Sequence, residues 1–95
     1  MKVKIPLIEK EYALQERQEL YTYTEMTGVG EITFALVNLG EAFNDWHIVE
    51  YTTGLSVLRD IGKLSKVRFE RLSSLVINMN PRKLKDRINI NEKIN

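Results

Sequence analysis

Apolar positions in this chain change spacing about midway along it. From Thr53 to Met79, read at about 100° per residue, one side collects Val57, Leu58, Ile61, Leu64, Phe69, Leu72, Leu75, Val76 and Met79. Arg59, Lys63, Lys66, Glu70 and Ser74 fall on the other side. The stripe predicts a long amphipathic C-terminal helix, on which the rest of the chain would pack. Thr53 stands as its N-cap, where a hydroxyl accepts from an amide one turn inward. Gly62 leaves two readings open. One helix can run through it at a cost of about 1 kcal/mol relative to alanine. Alternatively, Gly62-Lys63-Leu64 turns and Ser65 caps a new helix, with Leu64 and Phe69 at staple spacing. The unbroken apolar phase favours the single helix. Asn80-Pro81 ends it, because the residue before proline avoids the helical region. The same pair opens a short basic helix to Ile88, with Met79 and Leu84 again at staple spacing. Residues 89–95 are polar and read as a frayed tail.

Ahead of Thr53 the spacing is that of strands. Val3, Ile5 and Leu7 alternate with polar neighbours from Lys2 to Ile8, and Pro6 confines that strand to an edge. Glu9 to Glu19 is rich in helix formers without an apolar stripe and predicts a short helix. Leu20 to Met26 turns aromatic and β-branched, and Thr27-Gly28-Val29-Gly30 follows as a turn. Ile32 to Leu39 is ambiguous. Ile32, Phe34 and Leu36 alternate, yet Ile32, Ala35, Leu36 and Leu39 sit at helical spacing. Its length and its flanking glycines favour a strand. A loop from Gly40 to Asp45 leads to another strand, Trp46 to Thr52. The expectation is an α+β fold in a single domain over residues 1–95. Residues 1–52 give a small antiparallel sheet of three to four strands with a short helix. Residues 53–88 give the long helix on that sheet and the short basic one, and the tail follows.

Composition changes this picture in one respect. A net charge of +1 hides a division. Residues 1–54 hold four Lys/Arg and nine Asp/Glu, a formal −5, whereas residues 55–95 hold ten and four, a formal +6. Such a split is the compositional sign of a partner for one half, or of two halves that attract each other. With 43% hydrophobic and 28% charged residues, the chain has a globular rather than a disordered composition. The absence of cysteine excludes disulfides, thiolate metal sites and a cysteine nucleophile. The start of the chain has no apolar run of signal-peptide length, and the longest run, Phe34 to Val37, is far short of a bilayer span. A soluble protein of the cytoplasm, without membrane association, is expected.

Candidate chemistry is sparse. His47, the lone histidine, cannot hold a metal without carboxylates brought in by the fold. Gly28-Val29-Gly30 resembles half of a dinucleotide fingerprint, but Thr33 occupies the third glycine position. Glu9, Glu11, Glu16 and Glu19 read as a solvated face, and Ser56, Ser65, Ser73 and Ser74 lie outside any nucleophile elbow. A non-enzymatic protein with no metal and no cofactor is expected.

The cations give the sharper expectation. Arg59, Lys63 and Lys66 fall at i, i+4 and i+7, with Arg71 further along and Arg82, Lys83, Lys85 and Arg87 clustered beyond. Cations so spaced can bridge successive phosphates. With a turn at Gly62, residues 54–78 would form a helix-turn-helix with Lys66, Arg68 and Arg71 toward the groove. The leading expectation is a small regulatory or accessory protein that binds nucleic acid through its basic half. The alternative is a protein-binding inhibitor or adaptor that uses the acidic half and the aromatics Tyr21, Tyr23 and Trp46, with a homodimer on the long helix as a variant.

Overall fold

The structure, a computed structural model, describes residues 1–6, 12–40, 45–59 and 61–94. Strands β1 (Lys2–Pro6), β2 (Tyr12–Glu16), β3 (Glu19–Thr27), β4 (Gly30–Asn38), β5 (Trp46–Glu50) and β6 (Ser56–Leu58) precede helices α1 (Lys66–Met79) and α2 (Pro81–Ile94). The fold is α+β, with two antiparallel sheets. β1 pairs with β2, and β3-β4-β5-β6 form a four-stranded meander. Among the described residues, no helix is long and apolar enough to cross a membrane.

β4 organises the molecule. Ile32, Phe34 and Leu36 share one face with Ile48 of β5, and onto it pack Phe69 and Ile77 of α1 and Ile88 of α2. Ala35 and Val37 look the other way, where Val49 and Val3 of β1 close a smaller cluster. A strand covered on both faces needs apolar residues at every position, which removes the alternation. That is why residues 32–39 carried helical as well as strand spacing.

The long helix from Thr53 does not form. Gly54 and Gly62 hold φ of +70° and +71°, a left-handed conformation that no helix interior accommodates. Between them runs β6, so the helix-turn-helix reading of residues 54–78 fails as well. Thr53 lies in the turn after β5. Its hydroxyl donates to Glu50 and accepts from the Leu55 N–H, so it is not an N-cap. The cap is Ser65, whose Oγ accepts from the Arg68 N–H at 3.3 Å. The apolar phase across Gly62 is real but has another origin. Val57, Leu58, Ile61 and Leu64 reach the same core from a strand and a loop, as Phe69 does from a helix.

Three further expectations are corrected. Residues 12–16 are strand, not helix, because β1 offers an edge and pairing overrides local propensity; residues 9–11 lie outside the described residues. β1 therefore joins a second sheet, and β6 is the fourth strand of the first. Finally, α2 is no shorter than α1, 14 residues each. It continues through the supposed tail, where Asn91 donates to the Arg87 carbonyl and accepts from Lys4 Nζ. Asn80 and Pro81 start α2 as expected, with Asn80 Oδ1 accepting from the Lys83 N–H. Residues 7–8 of the first strand and 41–44 of the expected loop lie outside the described residues.

Candidate functional site

α1 seats on the sheet through Phe69, Ser73 and Ile77, which recur every four residues and are fully buried. The Phe69 ring lies 6.1 Å from that of Tyr21. One flank of α1 is polar and meets β3. There the Glu25 carboxylate accepts from the Tyr23 hydroxyl, from Ser74 Oγ at 2.7 Å and from the Asn78 amide. These bonds, Tyr23's foremost, hold the Glu25 carboxyl below its ordinary value, and the bond to Glu25 lifts the Tyr23 phenol above its own.

The other flank is apolar and uncovered. Leu75 and Met79 are 62% and 75% exposed, and Leu72 and Val76 are half-buried beside them. Two concavities follow this flank. Leu64, Arg68, Arg71, Leu72 and Leu75 line one of about 380 Å³. Val76, Met79, Asn80, Lys83, Leu84 and Arg87 line the other, of about 350 Å³, in the crevice between α1 and α2. Leu72 and Val76, like Leu75 and Met79, are one turn apart, so the two concavities join into one strip. The result is a leucine-rich floor rimmed by four cations. Among the described residues, no carboxylate lies within ion-pair distance of Arg68, Arg71, Lys83 or Arg87.

The candidate cations separate accordingly. Arg71, Lys83 and Arg87 stand on the strip. Lys66 begins α1, and Arg59 and Arg82 are exposed away from the concavities. Lys63 lies over the Trp46 ring, 5.9 Å from its centroid, and Lys85 donates to the Glu31 carbonyl. Arg59, Lys63 and Lys66 therefore form no helical stripe, since α1 starts only at Lys66. Arg68 belongs on the strip, although sequence spacing tied it to a groove-reading helix. Tyr21, Tyr23 and Trp46 are half-buried and pack against the main core.

One arrangement escaped the sequence. His47 is only 7% exposed; its Nε2 donates to Asp45 Oδ1 at 2.7 Å, and its Nδ1 lies 3.4 Å from Ser56 Oγ. The order Ser-His-Asp is that of a hydrolytic triad. Here it spans β6, β5 and the residue ahead of β5, and neither concavity on the helices opens onto it. These contacts tie Asp45, β5 and β6 together: the carboxylate accepts from Nε2, leaving Nδ1 toward Ser56. The signal in the sequence was an Asp-x-His spacing at the start of β5. Beside it, Glu50 is buried and accepts from both the N–H and the hydroxyl of Thr52 and of Thr53, which closes the β5–β6 turn.

Of the acidic candidates, Glu16 and Glu19 meet the Met1 ammonium, and Glu9 and Glu11 lie outside the described residues. Gly28 and Val29 form the β3–β4 turn. Among the described residues, no cluster of three or more potential ligands could hold a metal ion. No protein-family model, curated protein or solved structure matches the chain.

Proposed function

We propose that this protein is a non-enzymatic binding module that docks an acidic amphipathic helix of a partner protein along the α1–α2 strip. The observation that carries this reading is the exposed Leu75–Met79 floor between cations that have no acidic partner among the described residues. Leaving such a floor in water forgoes about 25 cal/mol per Å² of apolar surface. A helix with apolar residues at i, i+3, i+4 and i+7 fills a groove of this kind, and flanking carboxylates answer the rim. The alternative of a protein-binding module is thus kept, but on the basic half rather than on the acidic half and its aromatics. The cysteine-free composition supports a reducing compartment such as the cytoplasm.

A second reading, nucleic-acid binding, rests on Arg59, Lys66 and Arg82, which are exposed and have no acidic partner among the described residues. One titration separates the two. Fluorescence anisotropy would follow a labelled Leu/Glu amphipathic peptide, its Leu/Lys counterpart, duplex DNA, single-stranded DNA and RNA from about 50 to 200 mM salt. The docking reading expects the Leu/Glu peptide alone to bind, and Leu75→Asp to abolish its binding. Nucleic-acid binding that falls by about 10³-fold or more over that range, with a silent peptide, would replace it.

A further inference from the structure

We infer that β3 is a self-pairing edge: two copies of this chain join antiparallel along β3, about a twofold axis at Tyr23, into one continuous sheet. In the order β3-β4-β5-β6 the open edges are β3 and β6. β6 has three residues and β3 has nine. The direction of the β3 backbone groups follows from its neighbour. Thr33 accepts from the Tyr51 N–H, so its backbone faces away from β3, and those of Ile32 and Phe34 face toward it. Glu25 and Tyr23, which pair with Ile32 and Phe34, therefore turn their backbone groups inward. Thr22, Thr24 and Met26 turn theirs outward. Among the described residues, none of these outward groups has a hydrogen-bond partner.

Natural sheets guard such an edge with lysine, proline, a bulge or brevity. From Tyr21 to Thr27 this strand has no lysine and no proline, and its one irregularity lies between Glu19 and Tyr21. The exposed side chains are Leu20, Thr22, Thr24 and Met26, with Leu20 at 40% and Met26 at 68%.

Register decides the partner. Facing residues of an antiparallel pair must share a sheet face, so the axis has to pass through a residue. At Tyr23 it sets Thr22 against Thr24 of the second copy and Leu20 against Met26. Hydroxyls then meet hydroxyls, and the two exposed apolar side chains cover each other. Glu25 falls opposite Tyr21 and Glu19 opposite Thr27, so no carboxylate faces another. An axis at Thr22 would oppose Glu19 and Glu25, and one at Thr24 would leave Leu20 opposite Gly28. α1 packs on the face of β3 that carries Tyr21 and Tyr23, so the twofold places both copies of α1 on the same side of the joined sheet. Exposed Val67, on the flank that carries Ser74 and Asn78, turns toward that axis.

The test is the mass in solution, followed by light scattering and sedimentation from about 5 to 200 µM. The expected mass is twice 11.1 kDa. Thr24→Pro removes an outward N–H that the monomer does not use and one exposed hydroxyl contact with Thr33, so the variant should halve the mass and keep the wild-type circular dichroism. A wild-type monomer at the highest concentration, or a folded Thr24→Pro dimer, would overturn the inference. Should Thr24→Pro misfold, Thr22→Lys with Thr24→Lys places like charges across the axis and must monomerise a folded chain. Cysteine pairs check the register in this cysteine-free background. Residues 22 and 24 of the two copies would lie about 5.5 Å apart, whereas two residues 22 would exceed the ~7 Å limit for a disulfide. An equimolar mixture of Thr22→Cys and Thr24→Cys should thus cross-link about tenfold faster than either alone, and equal rates would refute the axis.

Discussion

Glu25 joins a strand to a helix at a single carboxylate, and its ionisation is therefore linked to folding. Three donors stabilise the charged form, Tyr23 most strongly, while partial burial opposes them. The carboxyl's folded pKa thus lies below its ordinary 4.5. A depressed carboxyl contributes stability above its unfolded pKa and loses that contribution as pH falls through the folded value. Urea denaturation should show stability declining below about pH 4.5. Glu25→Gln keeps the size but loses the charge-assisted bonds. It should lower stability at pH 7 by about 1–2 kcal/mol and remove that part of the acid dependence. An unchanged acid slope in the variant would assign the loss to other carboxylates.

Elements in the second half of the chain are defined by two glycines rather than by the apolar stripe. Gly54 and Gly62 share almost the same φ but differ in surroundings. A Cβ on Gly54 would collide with the Lys2 carbonyl oxygen, against which the β5–β6 turn rests, and the Lys4 N–H donates to the Gly54 carbonyl there. A Cβ on Gly62 meets nothing within 4 Å. Gly62→Ala should cost about 1–2 kcal/mol, the penalty of the left-handed conformation alone. Gly54→Ala should cost more than about 3 kcal/mol and loosen β1, because backbone atoms cannot yield as a flexible side chain does. Thermal melts of the two variants, with hydrogen exchange on β1, measure the difference. The same pair explains what was legible. Residues 20–26, 32–39 and 46–52 were readable as strands from alternation and turn glycines, with 51–52 turning out to belong to the turn after β5. The break at Gly54 was not, because apolar spacing records which residues face the core and not which backbone conformation brings them there. Likewise, no local signal in residues 12–16 announces that β1 is their partner strand.

At the scale of the molecule, the charge division becomes a layering. Residues 1–54 build both sheets apart from β6, and residues 55–95 supply β6 and the helices that cover one face, yet among the described residues no cation on the helical strip is ion-paired to a sheet. The main core does that work, from Phe34, Leu36 and Ile48 to Phe69, Ile77 and Ile88. The division was legible in the sequence; its geometry was not, since Lys63 and Lys85 are engaged by Trp46 and by a carbonyl while Arg68 lines the strip. Cations that fold does not need are free to steer association. Arg68→Glu with Arg87→Glu should therefore slow binding of the Leu/Glu peptide by about tenfold or more at low salt, with a thermal midpoint close to that of wild type. Stopped-flow rates across a salt series check this. The effect should shrink as salt rises, because screening removes the long-range attraction first and leaves the apolar floor to set the dissociation rate. The β3 edge lies on the opposite flank of α1 from the strip. The same peptide should then bind Thr24→Pro with wild-type kinetics, and a coupled loss would mean that the two surfaces are one.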